Sequence, residues 1–211
     1  MKTEILERSI PMKKTVLFSL FLLIGMSTTF AQNQDIKELY FEYTQSRMNE
    51  DQKAVTIEKA SSLLSRSTEL NDKQVANVSF HLARIYESMG KPEKAEPLYE
   101  KVTKLVPGYY VTYSALGFIN LKKCDTLGRK VTEAAKLKNA ELNAAAFKAY
   151  KIQVLKTIPY FEKSEACETD ERTLGILTSL YKSIKDTTSL ASLPERKALL
   201  GKDCVSLLDD E

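Results

Sequence analysis

From Asp35 to the end of the chain, apolar residues return at intervals of three and four, and no stretch alternates as a half-buried strand does. Stripes of this period can leave water only where helix lies on helix, so the expected fold class is all-α. The clearest case is residues 75–89, "VANVSFHLARIYESM": Val75, Val78, Leu82, Ile85, Tyr86 and Met89 share one stripe, while Asn77, Arg84 and Glu87 lie off it. Gly90 ends this helix, since glycine enters the left-handed cap at little cost. Pro92 opens the next at a first-turn position where its missing N–H is not needed. That second helix runs through Ala95, Leu98, Tyr99, Val102 and Leu105 and stops near Pro107. A connection this short forces the pair antiparallel. Further helices are predicted at about 36–48, 52–66, 109–123, 143–166, 171–184 and 194–208, with Asp170 as an N-cap and residues 187–193 as a loop.

The chain also repeats itself. Residues 95–107, "AEPLYEKVTKLVP", return as "TIPYFEKSEACET" at 157–169, and the helices that follow the two copies, "YSALGFI" and "LGILTSLY", correspond as well. The repeated object is a helix pair. Within residues 76–107 the spacing of Leu82, Ala83, Tyr86, Gly90, Ala95, Tyr99, Val102 and Pro107 resembles a tetratricopeptide (TPR) repeat. Small Ala83 and Ala95 admit a close helix approach, and Tyr86 and Tyr99 fill the wedge between pairs. The next unit keeps Tyr113, Leu116 and small Gly117, then departs: Asn120 stands where an aromatic is usual and Cys124 where the turn glycine is usual. Pro97 and Pro159 lie about one repeat plus 28 residues apart, so an Ala- and Lys-rich insertion, residues 126–150, is expected to lengthen a helix or add one.

The resemblance implies a TPR-like α-solenoid of about four antiparallel helix pairs, the third lengthened by the insertion. Its strongest repeats are 76–109 and 110–170, with a partial repeat at 171–208 and a degenerate pair at 36–66. It also implies a concave wall built from first-helix positions off the packing stripe: Asn77, Phe80 and Arg84, then Ser114, Phe118 and Lys122, then Lys182. Aromatic and basic groups there suit a partner segment with apolar and acidic side chains. The alternative for Phe80 and Phe118 is plain core packing. The two-lysine clamp by which some relatives hold a C-terminal carboxylate is absent, since Phe80 and Arg84 occupy its places. In such a stack Cys167 and Cys204 fall near like ends of neighbouring second helices, where a bridge is one outcome and three free thiols another, with Cys124 at the opposite end.

Lys13 and Lys14 precede an uncharged run from Val16 to Met26 and the small residues Thr29 and Ala31, the pattern of a secretory signal peptide over residues 1–31. An uncleaved anchor is the alternative. Met12 is the natural start, because residues 1–11 carry two acidic groups unsuited to the positive end of a signal. Cleavage leaves residues 32–211 as a single domain with 27 basic and 26 acidic residues, a balance with no electrostatic case for nucleic acid. The expected location is the periplasm or beyond the cell, with no membrane span after cleavage. Three cysteines cannot all pair within one chain.

Catalytic groups are sparse. His81 is the sole histidine, so neither a histidine metal cage nor a Ser–His–Asp triad can be built, and no GxGxxG or P-loop motif occurs. Asp170 with Glu171 is a helix start, and 209–211 an acidic tail. The expectation is a non-catalytic exported adaptor or scaffold, without cofactor or metal, that binds a protein or peptide through the groove. The rival is an enzyme or small-ligand binder whose pocket is framed by residues 126–150. A third reading makes that insertion a surface for homo-oligomerisation.

Overall fold

The computed structural model describes residues 34–208, and within them the fold is all-α. The expected signal peptide, residues 1–31, and residues 209–211 lie outside the described part. Among the described residues nine α-helices follow in order: α1 Ile36–Arg47, α2 Lys53–Ser65, α3 Asp72–Ser88, α4 Pro92–Leu105, α5 Tyr110–Lys136, α6 Ala140–Cys167, α7 Glu171–Ser183, α8 Thr187–Ala191 and α9 Leu193–Leu200. The only bridge of β type among the described residues is an isolated parallel one between Tyr109 and Val205.

Local chemistry accounts for the boundaries. Asn71 and Gln74 form a reciprocal capping box at the start of α3. Pro92 sits in the first turn of α4, and Asp170 accepts from the Thr173 N–H at the start of α7 at 2.9 Å. Gly90 takes φ +70°, and its N–H reaches the Glu87 carbonyl while Lys91 N–H reaches that of Tyr86. This is the paired-bond C-cap that a left-handed residue permits. The end of α7 is built the same way: Lys185 has φ +59°, with Lys185 N–H bonded to Lys182 and Asp186 N–H to Tyr181.

Each helix packs on its successor, and α9 returns to pack on α6. The core is serial. Leu39, Tyr43, Leu63 and Leu82 centre a first cluster from α1 to α3. Phe80, Tyr99, Val102 and Leu116 centre a second from α3 to α5. Val154, Phe161, Leu177 and Tyr181 centre a third from α5 onward. Tyr86 and Leu98 touch both of the first two clusters, so neighbouring hairpins share apolar surface. Between α5 and α6 the approach is close at Gly117, where a Cβ would stand 2.8 Å from the Phe161 ring.

Several expected boundaries move. The helix foreseen at 109–123 continues to Lys136, and the one foreseen from 143 begins at Ala140, capped by the Asn139 side chain. The stretch 126–150, expected as an insertion, is thus shared between both arms of one long hairpin, closed by a three-residue turn in which Lys138 has φ +54°. The supposed loop at 187–193 contains the short helix α8, whose start Asp186 caps through the Ser189 N–H. The last helix ends at Leu200 instead of Leu208. Gly201 lies against the Ala166 carbonyl too closely for a Cβ, and Cys204 is bonded to Cys167, with Cα atoms 5.5 Å apart. These contacts turn the chain out of its helical path, and Val205 N–H then donates to the Gly108 carbonyl at 2.8 Å.

Helix α9 is held on α6 by charge as well. Glu162, Lys163, Ser164 and Glu165 are four consecutive buried polar residues. Glu162 accepts from the Tyr181 hydroxyl and pairs with Arg196, and fully buried Glu165 pairs with Lys197 at 2.8 Å and accepts the Asp170 N–H. Lys163 donates to the Leu200 carbonyl at the end of α9. Each buried charge therefore has a partner, as burial requires.

Two outcomes test this packing. Gly117→Ala forces the Phe161 ring off its position and should cost about 1–3 kcal/mol in urea unfolding, the usual scale for overpacking. Replacing Cys167 and Cys204 together by serine opens a cross-link spanning 37 residues. Loop-closure entropy sets that loss at about 3–4 kcal/mol, and Cys124→Ser as a control should not reproduce it.

Candidate functional site

The middle of α5 carries an exposed ridge of Lys122, Thr126 and Arg129, spaced four and three residues apart so that all face one way. A cleft opens on each side. Towards α4 lies a cleft of about 380 Å³, with Pro92, Ile119 and Leu127 as its apolar lining and Glu96, Lys122 and Lys123 at its polar side. Towards α6 lies a more open cleft of about 540 Å³ lined by Lys122, Asp125, Gly128, Arg129 and Tyr150. Its wall is tied to α7 by the Tyr150 hydroxyl, which lies 2.8 Å from Ser183 Oγ.

Behind the ridge a polar network joins α4, α5 and α6. Glu96 pairs with Lys123 and, at 3.1 Å, with Lys156, and accepts from Asn120 Nδ2 at 3.3 Å. Fully buried Asn120 also donates to the Leu116 carbonyl, and its own carbonyl oxygen accepts from Gln153 at 2.9 Å. Thr157 continues the chain of contacts to the Cys124 thiol at 3.3 Å. Burial alone would raise the Glu96 carboxyl, yet the hydrogen bonds from Lys123 and Lys156 outweigh it and hold the group below the usual carboxylate value. Burial pushes the Cys124 thiol up, which leaves it a poor nucleophile despite its neighbours.

The groove residues expected from the sequence have separate fates. Asn77 is 2% exposed and accepts from Arg47 Nη1, so it ties α3 to α1 and does not present itself to a partner. Phe80 is 5% exposed; its ring meets Tyr109 edge-on at 5.0 Å and lies 5.9 Å from Tyr99. Arg84 is exposed, with its guanidinium 6.0 Å from the Phe80 ring centre, and it lines a third cleft of about 280 Å³ together with Arg47, Glu50 and His81. Ser114 and Phe118 are half-buried. Phe118 packs edge-on against Phe161 at 5.2 Å, and the guanidinium of Arg172 lies 5.1 Å from its ring centre. Lys122 borders both clefts beside α5, and Lys182 is exposed in the last turn of α7.

Asn77 and Phe80 fail as surface residues because α3 lies between α1–α2 on one side and α4–α5 on the other, which leaves fewer of its positions in water than a single stripe implies. Sequence reading also passed over Glu96, Lys123, Gln153 and Lys156. The available signal was Asn120: an amide where an aromatic is expected needs polar company once buried. Among the described residues, no group of three or more His, Cys, Asp and Glu side chains is placed to hold a metal ion. No described helix is long and apolar enough to cross a membrane. Set against known proteins, the chain matches no protein family, no curated sequence and no solved structure.

The Glu96 network gives a pH signature. A carboxylate depressed in the folded state stabilises fully above its unfolded value, and that contribution disappears as pH falls through the folded value. Glu96→Gln should therefore cost about 1 kcal/mol near neutral pH, after allowance for the solvent around both lysines. The gap from the parent protein should close below the carboxylate range, as read by urea unfolding at a series of pH values.

Proposed function

We propose that this chain is an exported, non-catalytic adaptor of TPR-like architecture that holds an acidic segment of another protein along its first-helix wall. The observation that carries the reading is the twice-built turn. Gly90 and Lys185 each stand four residues after a tyrosine, Tyr86 and Tyr181, take the same left-handed conformation and close the same pair of bonds. That repetition, with a core divided into serial clusters shared by neighbouring hairpins, is what a stack of helix pairs requires. The bridge between Cys167 and Cys204 fits an oxidising compartment such as the periplasm.

On this reading Arg84, Lys122 and Lys182 are the cations that meet the partner, Ser114 and Phe118 supply half-buried contact, and Asn77 and Phe80 support the wall from behind. The cleft of about 380 Å³ beside Lys122 takes one apolar side chain of the bound segment. Electrostatic complementarity of this kind governs the encounter rate and partner choice more than the final affinity.

A second reading is favoured by one observation, the cleft of about 540 Å³ framed by Tyr150 of the insertion. A small anionic ligand held by Lys122 and Arg129 would raise the melting temperature in a metabolite screen. The adaptor reading expects no such rise. It expects the triple variant Arg84→Glu, Lys122→Glu, Lys182→Glu to lose at least tenfold in capture of envelope proteins by the immobilised chain. Helicity and melting should stay unchanged, because all three side chains are exposed. Undiminished capture would remove this wall from the function.

A further inference from the structure

The outward face of α6 carries a row of exposed apolar residues. Leu142, Ala145, Ala149 and Ile152 follow each other at spacings of three, four and three, the seam of a helix that expects another helix. All four are exposed, Ile152 at 61% and Leu142 at 46%, and Leu155 beside the seam is exposed at 46%. The opposite side of the same helix, with Val154, Ile158 and Phe161, is already buried in the third cluster. Ala145 and Ala149 keep the middle of the seam low, so an incoming helix can approach closely there.

Charge selects the occupant. Residues 126–150, which form both arms of the protruding hairpin, hold five basic residues (Arg129, Lys130, Lys136, Lys138, Lys148) against two acidic ones (Glu133, Glu141). Lys151 and Lys156 add further positive charge on the exposed side of α6 itself, although Lys156 is engaged with Glu96 and Glu100. A second copy of the chain would bring two such basic hairpins together, and like charges across an interface are costly. We infer that the outward face of α6 docks an amphipathic helix of another protein whose apolar stripe is flanked by Asp and Glu. This surface lies outside the wall assigned to Arg84, Lys122 and Lys182 and does not depend on the repeat reading.

The test uses residues 32–211 and two fluorescent synthetic helices of about 21 residues. Both carry leucine on a heptad seam, one with glutamate and the other with lysine at the flanking positions. The acidic helix should bind, more weakly as salt rises, and the basic helix should not. Ala149→Glu with Ile152→Glu should weaken binding at least tenfold without lowering the melting temperature, whereas Arg84→Glu with Lys122→Glu should leave it intact. Four results would overturn the inference: no binding of the acidic helix, equal binding of both helices, loss of binding in the Arg84 and Lys122 variant alone, or a dimer mass for the parent chain that reverts to monomer in the Ala149 and Ile152 variant.

Discussion

The contact between Gly117 and the Phe161 ring sets the spacing of α5 and α6, and most of the C-terminal half follows from it. With no side chain at 117 the two longest helices run close, and Phe161 fills the space an intervening residue would have taken. Phe118 closes on the same ring edge-on, and Arg172 of α7 covers Phe118 in turn, so one aromatic centre positions three helices. Close approach also puts Gln153 of α6 within hydrogen-bond reach of Asn120 of α5, and Thr157 of α6 within reach of the Cys124 thiol. The polar network behind the α5 ridge is thus a product of the same spacing.

Burial of charge is the second organising constraint. The repeated Glu-Lys of the two similar stretches has different surroundings in its two places. At Glu100 and Lys101 it remains half-exposed, whereas at Glu162 and Lys163 it is covered by α9. Identical letters therefore serve opposite purposes, solvation in one hairpin and attachment of the final helix in the other. The attachment holds because Arg196, Lys197 and the open end of α9 each supply a matching group. Without them the carboxylates would lie uncompensated in a site that excludes water.

Much of this was legible in the chain and some was not, for reasons that lie in the residues. The turn at Gly90–Pro92 could be read because both residues act locally, through φ and a missing N–H. The same turn at Lys185 was hidden because a lysine carries no signature of a left-handed backbone. Periodicity found the helices, but not where the last one stops: that is decided by contacts of Gly201 and Cys204 with Ala166 and Cys167, far away in sequence. For the wall, one-dimensional reasoning identified Lys122 and Arg84 as exposed and placed Asn77 and Phe80 beside them, because a stripe shows one buried face and α3 has two.

The C-terminal segment closes a covalent ring. Because Cys204 is bonded to Cys167, the 37-residue separation that contains α7, α8 and α9 cannot lengthen when the two ends of the chain are drawn apart. Tension applied to the termini passes through the sulfur atoms and is borne by the helices before Cys167. Mechanical unravelling of this protein accordingly spares α7, α8 and α9, which are drawn out only after a reductant has opened the sulfur bond.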